Sequence, residues 1–396
     1  MPAPARRPLL ASAGIPLLLI AVHATNDAFS AMLAALLPTL QARFDLSEAM
    51  LAVFVATLSF SSAVTQPLFG GVADRVGRRA MAAIGIVTST ALLSLVAVAP
   101  SPVVLFLLLL VGGLGSAAFH PAGTSLMRIM GERFKELAVA VFSSGGTLGM
   151  AFGPVVILLI ARTVGLRFSP LLMIPGLVLG ALLLVALPKV HGVKQARRIS
   201  FLDPKLVMSP VGALSLAGIL RSLAFVSFNN AMPLWLAQAR GFAPDAPVIS
   251  WTLAAFALSG GLGGIMAGAL STRMPRRPLI VGAMLVALPA MLSVLAVTPG
   301  SLVYYLLVIV SGASANAAVP LLIVSAQDMA PGSMGAATGM LMGFTWGTAG
   351  VLYLGEGLLQ QALGLTPAMV IAFLGLVPAA VLASVVLARH REVVVA

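Results

Sequence analysis

The sequence predicts an all-α integral membrane protein, with twelve transmembrane helices in two six-helix halves. Three observations predict this. The first is composition: 60% of the 396 residues are hydrophobic, 9% are charged, and the mean hydropathy is +1.09. Soluble domains carry about 25% charge, and a soluble fold this apolar would not stay in solution. The second is pattern, because the apolar residues fall into twelve runs of about the 20 residues needed to cross a bilayer. The third is an internal echo. Gly70–Arg79 aligns with Gly268–Arg277 at an offset of 198 residues, with Arg75, Arg78 and Arg79 matched by Arg273, Arg276 and Arg277. Gly146, Thr147 and Gly149 are echoed by Gly347, Thr348 and Gly350, and Ala117, Ala118 and Pro121 by Ala317, Ala318 and Pro320. Parallel halves around a midplane site are a transporter plan.

The runs can be taken in order. Ser12–Leu40 follows a short basic start without a small-residue cleavage site, which reads as a retained cytoplasmic segment. Ser47–Val72 ends in the polar turn Gly70–Arg79, and Ala80–Ala99 leaves it. Arginine is costly in a bilayer, so three of them fix this turn at a membrane surface. Glycine lets it bend sharply, and Asp74 is placed to interact with a nearby helix end. Val103–Met130 contains Phe119, His120 and Pro121. Glu136–Ala161 carries Gly145, Gly146, Gly149 and Gly153 before Pro154, which allow close helix packing. Phe168–Pro188 closes the first half at the longest polar connection, Lys189 to Lys205. Ser209–Ala239 opens the second half. Val248–Ser271 runs into the echoed turn and Pro278–Val297 leaves it; Ser301–Asp328, Met334–Ala362 and Pro367–Ala388 follow. Interior proline and glycine are tolerated where neighbouring groups satisfy the freed backbone. The expected division is 1–188 for the N-terminal half, 189–208 for a cytoplasmic linker and 209–396 for the C-terminal half.

Charge sets the orientation. With the N-terminus inside, the outer segments hold only Arg43, Arg162, Arg167 and Arg240 of the 23 Lys and Arg. Arg221 alone falls well within a span. The bias toward the inner side places both termini in the cytoplasm. The net charge of +12 is therefore a topology signal, and no nucleic-acid partner is expected. There are no cysteines, which rules out disulfides, and the four histidines show no metal-ligand spacing. No metal or other cofactor is expected.

Polar groups at membrane depth are site candidates by default, because an unpaired one costs several kcal/mol. His23 and Asp27 are four residues apart and share a helix face with Asn26 close by. Asp27 reads as a carboxylate that takes and releases a proton; the alternative is a structural acid bonded to helices four or five. His120 is either a proton relay or substrate contact, or a brace for the proline kink. Arg221 would face Asp27 or an anionic substrate, unless it snorkels to the inner mouth. Asn229 and Asn230, two turns on, are candidate substrate contacts. Glu356 is the second intramembrane acid, either a coupling site or a residue near the outer surface. Gln66, Asn316 and Gln327 line a cavity or bond between helices.

The turn Gly70–Arg79, with Gly71, Asp74, Arg75, Gly77, Arg78 and Arg79, resembles the loop after the second helix of major facilitator superfamily transporters. His23, Asn26 and Asp27, then Leu36-Leu37-Pro38, Gln66-Pro67, Phe119-His120-Pro121 and Gly145-Gly146, are similar to the fosmidomycin resistance protein family. The resemblance implies the major facilitator fold in a bacterial-type inner membrane and proton-driven efflux of a small toxic compound. It implies an antiporter linked to drug resistance, and carriers of this plan commonly work as monomers. Asp27 and His120 are the site candidates it carries over, and the loop would lock the cytoplasmic side of the outward-open state. Two departures stand out. Ile157 and Leu158 replace the glycine pair usual after the proline of helix five, and Val103–Leu114 lacks the arginine of many drug exporters. A proton-coupled importer of an organic anion fits the same residues. A polytopic membrane enzyme would need acids, histidines or a nucleophile clustered at one interface. A channel would want a ring of like residues from symmetric subunits.

Overall fold

The computed structural model describes residues 9–130, 135–187 and 204–390, and it is built of helices with no strand among them. Eleven helices are long and apolar enough to cross a membrane. They are α1 (Gly14–Phe44), α2 (Glu48–Ala73), α3 (Arg78–Val98), α4 (Pro102–Met127), α5 (Val141–Thr163) and α6 (Leu166–Ala186), then α7 (Pro210–Ala239), α8 (Pro247–Leu270), α9 (Arg276–Ala296), α10 (Leu302–Met329) and α12 (Leu365–Arg389). Between the last two lies α11 (334–363), helical throughout. Its glycines, threonines and Glu356 dilute its hydropathy because it packs mostly against protein: Gly347, Ala349, Gly350, Tyr353 and Glu356 are buried. The twelve helices match the twelve expected runs.

Packing repeats between the halves. In the first, α1 runs along α5 while α3 packs on α4 and α6; in the second, α7 runs along α11 while α9 packs on α10 and α12. The halves meet along two seams, α2 with α11 and α5 with α8. Shifting the helix number by six exchanges one seam for the other, as the sequence echo implies. Most of the expected linker lies outside the described residues. Its described end is a single turn, Pro204–Val207, leading into α7.

Small residues set how near the helices come. On α5, a Cβ added at Gly149 would lie 2.0 Å from the Ala24 carbonyl oxygen, and one at Gly153 2.2 Å from that of Ala28. On α11, the same test puts Gly350 2.2 Å from the Ser59 side chain and Gly357 2.3 Å from that of Ala52. Near this end, Gln238 Nε2 donates to Gln41 Oε1 at 2.5 Å, and Gln41 Nε2 donates to Glu48 Oε1 at 3.2 Å. Segments of π-helix interrupt α2 at Phe60–Val64 and α11 at Met340–Phe344. They face each other across the seam, with a Cβ at Gly343 only 3.8 Å from the Ala63 carbonyl oxygen.

The arginine turn joins α2 to α3 at Gly77, whose φ of +105° favours glycine. Arg79 donates to the Leu187 carbonyl oxygen at 2.9 Å, at the end of α6. Its echo Arg277 donates to Ser384 Oγ of α12 at 3.0 Å, and Arg276 pairs with Asp328. Each half thus ties this turn to its own last helix. The Asp74 side chain lies outside the described residues, so its expected helix-end contact does too.

Candidate functional site

Asp27 sits mid-way along α1, where the glycines of α5 let that helix pass close by. His23 Nε2 is 3.3 Å from Asp27 Oδ2 on one side, and His120 Nε2 of α4 is 3.2 Å from Asp27 Oδ1 on the other. Asn26 Nδ2 donates to Asp27 Oδ1 at 3.0 Å and to Ser116 Oγ at 2.9 Å, which uses both amide hydrogens. The carboxylate is therefore fixed by three side chains from two helices. It is not an isolated acid, and its partner helix is α4.

Both imidazoles are oriented by backbone. His23 Nδ1 lies 2.7 Å from the Phe142 carbonyl oxygen, and its ring stacks on that of Phe142 at 4.1 Å. His120 Nδ1 lies 2.8 Å from the Ser116 carbonyl oxygen, one turn earlier in α4. A carbonyl oxygen only accepts, so both Nδ1 atoms carry hydrogen and donate. Both Nε2 atoms then face the carboxylate. Each of these two contacts needs a proton, on nitrogen or on oxygen, because otherwise lone pairs oppose each other. The arrangement thus has places for two protons along one hydrogen-bonded row.

The row borders a cavity of about 280 Å³ between the halves. Asp27 and His120 line its N-terminal wall, and Phe225, Asn229, Asn230 and Trp346 its C-terminal wall. His120 is the more open of the two histidines, with 24% of its side chain exposed against 8% for His23. His23 and Asn26 stand behind, in contact with Asp27. The α4 helix continues through Pro121, and His120, beside that proline, pairs with Asp27 of α1.

Other expected residues fall elsewhere. Arg221 does not face Asp27, nor does it snorkel. It is buried, donating to the Ala315 carbonyl oxygen at 3.0 Å, to Asn316 Oδ1 at 3.2 Å and to Ser222 Oγ at 2.7 Å. Its guanidinium lies 5.0 Å from the Trp346 ring centroid and 5.8 Å from that of Phe225. The two rings that line the cavity therefore stand against it. Glu356 is buried too, and is not exposed at the protein surface. Its Oε1 accepts from Ser227 at 2.6 Å and Gln360 at 3.1 Å, which ties α7 to α11 away from the cavity wall. Of the remaining polar candidates, Gln66 lines the cavity, whereas Asn316 and Gln327 bond within the second half.

Ser116 and Phe142 escaped the sequence reading, and the sequence marks Gly146 only for the internal echo, helix packing and the family motif. Ser116 stands four residues before His120, a helical spacing that would have flagged it. Phe142 contributes its carbonyl and its stacked ring, and neither marks it out among the apolar residues of a span. Gly146 is notable for what it lacks, since a Cβ there would lie 2.4 Å from Asp27 Oδ2 and 2.7 Å from His23 Nε2.

Comparison with known proteins places these features. A family model described as Major Facilitator Superfamily matches residues 19–354 and 214–395. The chain is 27% identical over 366 residues to YfnC, an MFS-type transporter of Bacillus subtilis (strain 168), covering 89% of this chain and 88% of that one. It is 25% identical over 343 residues to the fosmidomycin resistance protein of Escherichia coli (strain K12), covering 83% and 82%. Among solved structures, a bacterial homolog of the human lysosomal transporter Spinster, inward-facing and occupied, superposes with a TM-score of 0.73 at 15% identity, covering 96% of this chain and 97% of that one. A mutant of the nucleoside transporter NupG superposes with a TM-score of 0.76 at 16% identity, covering 96% and 100%.

Proposed function

Because the chain belongs to the major facilitator superfamily and is a multi-pass membrane transporter, we propose that it exports a small toxic organic compound in exchange for entering protons. The membrane is a bacterial inner membrane, with both termini in the cytoplasm on the strength of the Lys and Arg bias. One observation carries the coupling: a carboxylate flanked by two backbone-oriented imidazoles at the wall of a cavity between the halves. In this reading, Asp27 and His120 take up protons on the outer side. Protonation weakens the hold on substrate, and the loaded site then turns inward to release the protons. Phe225, Trp346, Asn229 and Asn230 form the opposite wall, apolar faces beside two amides, which suits a compound with a flat apolar part and hydrogen-bonding groups. The relative named for fosmidomycin resistance supports the export direction. The bonds of Glu356 to Ser227 and Gln360 support reading it as a helix tie, with coupling assigned to Asp27 and His120. The arginine turns act as the conformational loop, since each anchors its own half.

The test uses a pump-deficient host expressing wild type or Asp27→Asn, challenged with fosmidomycin and a panel of antimicrobials. Wild type should lower accumulation of at least one compound. Asp27→Asn and a protonophore should each abolish that effect, because an ionisable group at membrane depth is kept for function. Exclusion that survives both treatments would overturn proton coupling through Asp27. The import reading has Arg221 and His120 bind the anion; His120 lines the cavity, and Arg221, with no carboxylate partner among the described residues, stands behind the Phe225 and Trp346 rings. Substrate-dependent proton flux of opposite sign separates the two.

A further inference from the structure

We infer that His23, Asp27 and His120 form a binding site for a divalent first-row transition-metal cation, with Zn2+ as its natural probe. Their ligand atoms all lie within 4.8 Å of one another. Around a cation with bonds of 2.0–2.1 Å, neighbouring ligand atoms of a tetrahedral site stand about 3.4 Å apart. The two nitrogen-to-oxygen edges here are 3.3 and 3.2 Å. Each imidazole faces its own carboxylate oxygen, so a cation held between them would be met by the carboxylate from both sides, with the side chains closing any remaining gap within the 4.8 Å span.

The surroundings also fit. Ligating histidines nearly always donate their other ring N–H to a carbonyl, carboxylate or water, which fixes the tautomer. Both histidines do so here, to the carbonyls of Phe142 and Ser116. A neutral imidazole in this state presents its Nε2 lone pair inward, the form a metal needs. Asn26 donates to Asp27 Oδ1 and orients the carboxylate as an outer partner does. Two imidazoles and one carboxylate suit Zn2+, Co2+, Ni2+ or Fe2+; Ca2+ and Mg2+ prefer all-oxygen sites. Asp27 and His120 border the cavity, so a further coordination position is open to water or to a donor atom of a substrate. Binding does not depend on the export reading. A cation and protons would exclude each other from the same nitrogens, so Zn2+ should inhibit any proton-driven transport.

The experiment uses the untagged full chain in detergent, titrated with Co2+. Wild type should take up one Co2+ with the visible absorption of a low-coordinate site, and Zn2+ should displace it. His390→Ala, outside the site, should leave this unchanged. Asp27→Asn and His120→Ala should weaken Zn2+ by more than the 10- to 100-fold typical of losing an outer-shell partner. His120→Cys guards against a variant that only misfolds. It supplies the chain's sole thiol, so it should retain the metal and add thiolate-to-cobalt charge-transfer absorption. Absence of the visible bands in wild type, or their persistence in Asp27→Asn, overturns the site, as does a His120→Cys protein without charge transfer. Proton-driven export together with no cobalt signal would sink this inference and leave the transport reading intact. Cobalt binding together with protonophore-insensitive export would do the reverse.

Discussion

Gly146 controls the space beside Asp27. The α5 backbone passes so near that a single methyl there would meet Asp27 Oδ2 at 2.4 Å and His23 Nε2 at 2.7 Å. Real Cβ atoms do not sit that close, so Gly146→Ala forces the side chains of the row apart while leaving every hydrogen-bonding group present. Its first consequence belongs to function, because the displaced atoms are side-chain ends and the backbone need not move. Gly146→Ala should fold with a stability cost of about 1 kcal/mol, the lower range for overpacking. It should lower coupled transport by roughly 10-fold, about what a 1.4 kcal/mol misplacement implies. Thermal unfolding in detergent and a transport assay on the same preparation check both numbers. The sequence made Asp27, His23 and Asn26 legible because charged and amide groups are rare at membrane depth. His120 was visible for the same reason, but its join to Asp27 was not, since 93 positions separate them in the chain. Arg221 and Glu356 gave equally strong signals and proved to be bonded within the second half. Rarity marks a buried polar group without saying which cavity, if any, it meets.

Helix α5 approaches α1 closely at Gly149 and Gly153, whose added Cβ atoms would strike backbone carbonyls of α1. In lipid no hydrophobic force draws helices together, so van der Waals packing along such a seam does that work. Backbone cannot rotate out of the way as a side chain can. Gly149→Val should therefore part α1 from α5 and cost about 1–3 kcal/mol or more, read as a lowered unfolding temperature with loss of transport. The same change at Gly282, where nothing lies within 4 Å of an added Cβ, should be nearly neutral. The glycine run was legible in the sequence as a packing face, and the twelve runs were legible from length and apolarity. Helix ends were less so: α1 continues to Phe44, past the expected Leu40, because nothing apolar is lost by extending into the polar turn. The π-helical segments of α2 and α11 left no mark at all, since each depends on what the facing helix offers.

The two halves of the molecule repeat one packing scheme, and the 198-residue echo makes it legible in the sequence. What the echo left open was the cavity, because its walls come from six helices meeting at one level and no single segment encodes it. At the end where Gln41 meets Gln238, contact between the halves is made by amides, glycines and small apolar groups, and no ion pair among the described residues spans it. Opening that end breaks dispersion contacts and neutral hydrogen bonds, neither of which mobile ions screen. The turnover rate should then change by less than about 2-fold between 0.05 and 0.5 M of an inert salt, a range over which the Debye length shrinks roughly threefold. Proteoliposome flux at fixed osmolarity measures this, and a steep salt dependence would point to a charged latch instead. A contact of this kind is indifferent to the brine around it, and turnover that depends on it would keep an even pace as salinity fluctuates.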